Sequence, residues 1–439
     1  MNQEVTEFTI EKQSTHEESL KCDAEKDLGV RHPNASFLSC WTVLSKTAIG
    51  VGLLGLSAAT AVCGWFLGIL LLVIAGTTAM FTLHLINCLI IQQDRRHVSF
   101  YTVAEKVAPY CRWIVDMAVA IKSLGVGTAY FQVYGSQLAS FITRLAPSIL
   151  DEISFFTLRS LIILLGLAAM IPICYRKSIA KTAIINLFGI LGIAYIVMIG
   201  VVYTDPTYTS TTSRSFAPTG TFLAIAAKLP IFIFTFTCHQ NMFLIGEDMK
   251  DRSQRKLDLV ALLAELTGCC LFLPALICPY VTYGSSVKSN FLESMDKNES
   301  INKDIAVLLG GLALAVAEIS AFPLQLFPCR KSTMVLVMRG REISISEEKR
   351  MRRVLTSVIL MTTTIISIFV SDLGVTLSLV GIIGSNTICF IMPAFLFCKA
   401  FDRKETPVKW FASATVCAVS CMLLPICLVA ILFTAATKK

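Results

Sequence analysis

Two stretches of this sequence place residues of unusual chemistry inside otherwise apolar surroundings. The first is Ile49-Gly50-Val51-Gly52-Leu53-Leu54-Gly55, with three glycines in seven residues. The second is 230–243, where Pro230 precedes the polar run Cys238-His239-Gln240-Asn241. What both stretches offer is main chain. Glycine lacks a Cβ and tolerates strained angles, and a helix interrupted by it exposes N–H groups at one end and carbonyls at the other. Amide groups of that kind favour a carboxylate and carbonyls favour an amine or a cation, a combination that suits a zwitterion.

Seven ionisable side chains also fall in apolar segments: Lys46, Asp116, Lys122, Lys228, His239, Glu265 and Glu318. A charge at the centre of a membrane helix costs about 2.5–3.5 kcal/mol on insertion scales, so each needs a partner, a cavity or neutralisation. Asp116 and Lys228 lie near segment ends, where their heads can reach the interface. His239 has two readings, a proton-coupling group that changes charge near neutral pH or a hydrogen-bonding group at a frayed helix end. Covalent chemistry has little to work with. The five histidines form no histidine box, and neither a Walker lysine loop nor a GxSxG elbow is present. The 16 cysteines match no zinc or disulfide spacing. The expectation is therefore a non-enzyme with no metal and no cofactor.

The elements that must position these residues are membrane helices. Of the 439 residues, 55% are hydrophobic and 15% charged, and the mean hydropathy is +0.69. That places the chain in the membrane class. Runs long enough to cross a core of about 30 Å recur almost to the C-terminus. Eleven spans are expected, at 37–62, 64–91, 113–142, 155–174, 179–203, 221–245, 257–280, 305–327, 354–370, 375–397 and 408–435. Residues 1–36 are polar and acidic and read as a disordered cytosolic tail, leaving 37–439 as one membrane domain.

The formal charge of +8 does not point to nucleic acid, because lysine and arginine gather in alternate loops. With the N-terminus cytosolic, the inner loops hold the clusters at 95–96, 176–181, 250–256, 330–353 and 403–404, and the outer loops hold far fewer basic residues. The bias selects this orientation, with the C-terminus outside. It also puts the sequon Asn298-Glu299-Ser300 on the outer side, as a candidate glycosylation site.

Interruptions in the first and sixth spans are five spans apart. An odd offset turns the second five-helix unit upside down relative to the first, which is the mark of an inverted repeat. The glycines at 64 and 68, and Gly125 and Gly127, read instead as small residues that let helices approach closely.

At these residues the sequence resembles the amino acid/auxin permease family, which includes vacuolar amino acid transporters and sodium-coupled neutral amino acid transporters. The resemblance runs from 36 to about 433. It is most specific at Ser45-Lys46-Thr47-Ala48-Ile49-Gly50-Val51-Gly52-Leu53-Leu54-Gly55-Leu56 with Gly64-Trp65, at 230–243, and at Phe322-Pro323-Leu324-Gln325-Leu326-Phe327-Pro328-Cys329-Arg330. It implies an all-α polytopic membrane protein with a LeuT-like fold, a 5+5 inverted repeat plus one additional transmembrane helix. It also implies alternating-access transport of an amino acid held between the first and sixth spans. Carried over by position, Thr47, Ala48, Ile49, Gly50, Val51 and Gly52 line the site from the first span and Phe236, Thr237 and Cys238 from the sixth, with Tyr130 a further candidate from the third.

The resemblance bears on the driving ion as well. Lys46 stands where sodium-coupled relatives carry an uncharged polar sodium ligand, and Ala321 stands where they carry a hydroxyl. Glu318 lies one helical turn before Ala321, so Lys46 and Glu318 are expected to pair where sodium binds in relatives. Protons on this pair or on His239 would then supply the coupling. Neutral amino acids are the first expectation, since no acidic residue stands beside the first-span break. A cationic substrate, or an amino acid sensor on a transporter fold, is the alternative, and both the cell surface and a vacuolar or lysosomal membrane stay open.

Overall fold

The computed structural model describes residues 35–93, 99–175, 183–208, 215–296, 298, 301, 303–338, 341 and 344–437. The tail expected to be disordered falls almost entirely outside them. Among the described residues, ten helices are long and apolar enough to cross a bilayer. The fifth expected span is the helix Ala183–Val202. Its described apolar stretch, Leu187–Val202, is shorter than the others. Together they account for the eleven spans.

The helices begin where side chains can occupy their unpaired first N–H groups. Ser36 caps the first span, Ser154 the fourth, Thr221 the sixth and Ser253 the seventh, each accepting from a backbone amide three residues on. Ser344 and Glu347 form a reciprocal capping box at the start of the ninth span. Asp372 accepts from Gly374 N and Val375 N at the start of the tenth. Beyond the expected spans there are short interfacial helices. Phe100–Val107 carries its apolar face, Phe100, Val103 and Ala104, into the core, and Phe291–Asp296 lies in the loop before the eighth span.

Burial separates an inner set of spans from an outer one. In the most apolar window of the first span 83% of residues are buried, in the tenth 78%, and in the third and sixth 67%, against 22% in the eleventh. The outer spans turn large apolar side chains outward, as at Phe66, Leu70, Val73 and Ile74 in the second and Met422, Val429 and Leu432 in the eleventh. Outward apolar faces are what lipid requires, and the four inner spans surround the region where the helices break.

Small residues set the close approaches, as expected for Gly68, Gly125 and Gly127. A Cβ on Gly125 would stand 2.1 Å from Val380, and one on Gly127 2.9 Å from Phe322. Gly64 has φ +76° and sits beneath the Ala217 carbonyl, 2.5 Å from where its Cβ would be. The loop before the sixth span thereby closes over the turn between the first two. Asn298 is only 4% exposed. The other two residues of the sequon fall outside the described residues.

Candidate functional site

Both expected interruptions are present. The first span is a helix from Phe37–Ala48, two non-helical residues, a 3-10 turn at Val51–Gly55 and a second helix Leu56–Cys63. Ile49 and Gly50 are extended, with φ −84° and −140°. The sixth span is Phe222–Thr235 and then His239–Asp248, with Phe236, Thr237 and Cys238 between. Its break comes six residues after Pro230, at the start of the polar run. There the backbone is held by side chains that compete for helix carbonyls. Thr235 Oγ1 donates to the Ile231 carbonyl at 2.8 Å and Thr237 Oγ1 to that of Ile233 at 3.2 Å.

The two broken spans are tied to each other. Asn241 Nδ2 donates to Thr47 Oγ1 at 2.6 Å, while that hydroxyl donates to the Val43 carbonyl at 2.7 Å. At the far ends, Ala35 N donates to the Asp248 carbonyl at 2.8 Å and Lys250 N to the Ala35 carbonyl at 3.3 Å. The breaks themselves are packed tightly at one glycine. A Cβ on Gly52 would meet the Phe234 ring at 2.9 Å and Thr235 Cα at 3.1 Å. Gly50 is different. Its backbone is ordinary extended chain, and a Cβ there would meet only the Tyr130 hydroxyl at 3.7 Å.

Between the breaks lies a small cavity. The first span contributes Thr47, Ala48, Gly50, Val51 and Gly52, the sixth Phe234 and Thr237, the third Lys122, Val126 and Tyr130, and the eighth Gln325. Of the residues singled out from sequence, Ile49, Phe236 and Cys238 do not line it. Ile49 and Phe236 are wholly buried in the surrounding core. Phe236 stacks edge-on against Phe272, with ring centroids 5.2 Å apart. Cys238 points away, its Sγ 3.5 Å from Glu265 Oε1. A contiguous assignment therefore includes residues that point into the protein.

Lys122, Val126, Phe234 and Gln325 were not singled out as lining residues. Lys122, Val126 and Tyr130 are four residues apart along one helix face, so the helical period read back from Tyr130 leads to the other two. Nothing in the sequence marks which face of the eighth span holds Gln325.

The ion-coupling candidates occupy two places. Lys46 and Glu318 are both buried, and each is a charge whose field acts on the other. Neither Lys46 Nζ nor either Glu318 oxygen has a hydrogen-bond partner among the described residues. Each acts on the other through space without a direct bond, and the Lys46 stem lies on Gly189 of the fifth span, whose Cβ would stand 2.6 Å from Lys46 Cε. Ala321 is buried on the same span as Glu318. His239 is elsewhere. It opens the second half of the sixth span, wholly buried, with Nε2 2.9 Å from Thr82 Oγ1 of the second span, and it does not line the cavity.

The chain is similar to known proteins. The chain is 28% identical over 366 residues to vacuolar amino acid transporter 5 of Schizosaccharomyces pombe, a match covering 83% of this chain and 84% of that one. It is 22% identical over 403 residues to the sodium-coupled neutral amino acid symporter 2 of Danio rerio, covering 85% of this chain and 77% of the relative. The crystal structure of MhsT in complex with L-phenylalanine superposes with a TM-score of 0.56 at 16% identity, over 93% of this chain and all of that one. The fold is accordingly LeuT-like. Residues 33–437 match the family described as transmembrane amino acid transporter protein, and the chain belongs to that amino acid transporter family.

Proposed function

We propose that this multi-pass membrane protein carries neutral amino acids by alternating access, without sodium and linked to protons, with its N-terminus in the cytosol. The observation that carries the reading is the meeting of two broken helices around one cavity. The 3-10 turn beginning at Val51 turns amide groups toward a carboxylate, and the end of the helix Phe222–Thr235 turns carbonyls toward an amine. Uncharged walls at Val126 and Phe234 suit an apolar side chain. A relative named a neutral amino acid symporter, and a structural neighbour that holds phenylalanine, support the same substrate class.

Sodium independence is supported by Lys46 and Ala321. A buried ammonium repels sodium, and the alanine side chain has no oxygen to offer it. Proton linkage rests on Lys46 and Glu318 acting on each other without a hydrogen bond. Such a pair changes its attraction when one partner gains or loses a proton, and it joins the first and eighth spans, whose relative position must change in alternating access. Uptake into proteoliposomes is expected to be unchanged when choline replaces sodium and to rise under an inward proton gradient. A strict sodium requirement contradicts the proposal.

A further inference from the structure

One charge in the cavity is left over by this reading. Lys122 lines the cavity from the third span and is 2% exposed. Among the described residues it makes no hydrogen bond and no ion pair within 4.0 Å. The groups electrostatically closest to it are the thiols of Cys238 and Cys389, which are not carboxylates. Of the buried carboxylates on neighbouring spans, Glu265 accepts from Cys238 Sγ at 3.5 Å and Glu318 acts on Lys46, and neither forms an ion pair with Lys122 within 4.0 Å. A buried ammonium without an anion is strongly disfavoured, so the counter-charge must come from what enters the cavity.

The packing directs the side chain there. A Cβ on Gly384 of the tenth span would stand 2.5 Å from Lys122 Cβ and 2.8 Å from its Cα. The tenth span thus presses directly on the base of the side chain and leaves the cavity as its open side. Val126 and Tyr130 continue the same face one and two turns on, so Lys122 stands at one end of a row of lining residues.

We infer that Lys122 binds a substrate carboxylate in addition to the amides of the turn beginning at Val51, and that its charge excludes cationic amino acids. The inference rests on the transport reading above and deepens it by naming what the substrate must carry. The carboxylate is either the α-carboxylate common to all amino acids or the side-chain carboxylate of an acidic one, and the two sources give different outcomes below. Lysine and arginine bring a second positive charge against Lys122 with no acid beside it to compensate. They are excluded in either case.

The test compares wild type, Lys122→Met and Lys122→Arg, each purified as the full chain and reconstituted. The common amino acids are screened by melting shift and by competition for uptake of whichever one stabilises wild type most. In Lys122→Met, half-saturating concentrations rise about ten- to a hundredfold, the size expected for a lost charge-assisted hydrogen bond. A rise for neutral and acidic amino acids alike assigns the α-carboxylate, and a rise confined to aspartate and glutamate assigns the side-chain carboxylate. Arginine, inert against wild type, competes in this variant, while Lys122→Arg keeps the wild-type ranking. A monodisperse Lys122→Met protein with unchanged affinities that still rejects arginine overturns the assignment alone. If that variant does not fold, arginine competing with wild type as well as the preferred substrate does so equally. Failure of wild type to bind any amino acid overturns the transport reading, and the assignment with it.

Discussion

Asn241 Nδ2 and Thr47 Oγ1 lie 2.6 Å apart and join the two broken spans beside the cavity. The bond runs from the second half of the sixth span to the last turn of the first half-helix, and the Ala35 bridge to Met249 joins the same two pieces at their other ends. The two half-helices are therefore fastened as a unit. Asn241→Leu removes one hydrogen bond, worth about 1 kcal/mol. A fall of about 1–3 °C in melting temperature follows, with uptake reduced several-fold, because the halves lose their fixed spacing. Thr47→Ser keeps the acceptor and is expected to behave as wild type. Wild-type uptake in Asn241→Leu, measured beside its melting curve, would show that the bond does not fasten the site.

The two glycines of the first break are expected to separate in their response to alanine. Gly50→Ala meets only the Tyr130 hydroxyl at ordinary contact distance, so uptake stays within about twofold of wild type. Gly52→Ala drives a methyl into the Phe234 ring and the Thr235 backbone and lowers uptake about tenfold or more. Insertion and yield are unaffected in both. Equal losses at the two positions would mean that the close packing at Gly52 is not what sets the break.

His239 is predicted to support the fold and not the proton coupling. Its ring is buried against Thr82 and lies outside the cavity lining. His239→Gln, which retains one polar contact at most, lowers the melting temperature and leaves the pH profile of uptake in place. A shifted pH profile in a stably folded variant would assign the proton to His239 after all.

Glu318→Gln addresses the coupling directly. The variant keeps the volume and removes the titratable carboxyl acting on Lys46. Amino acid binding is retained, since Glu318 is not among the cavity-lining residues, while stimulation by an inward proton gradient is lost. Persistence of that stimulation in proteoliposomes would remove Glu318 from the coupling mechanism.

The spans were legible because the bilayer imposes one requirement, a long apolar run, that composition displays directly. The break in the first span was legible for a related reason. Three glycines at mid-depth have few other uses, and the helix does stop at Ala48. What was not legible is direction. Thr47, Ala48 and Gly50 to Gly52 line the cavity and Ile49 between them is buried in the core. Lys122 was visible as a costly charge but not as a lining residue, since its placement depends on the tenth span pressing on it at Gly384. The tenth span also winds as a π-helix over Gly381–Ser385 and Thr387–Ile391.

The central claim is that amino acids cross the membrane through the cavity between the two breaks, and it is tested most directly by uptake of a labelled amino acid into proteoliposomes in sodium-free medium. Wild type and Gly52→Val are compared after both are shown to be monodisperse and equally incorporated. The account predicts saturable uptake by wild type and none above empty liposomes by Gly52→Val, whose branched side chain cannot fit beside Phe234 and Thr235. Uptake by Gly52→Val at the wild-type rate, or no uptake by either protein, would contradict it.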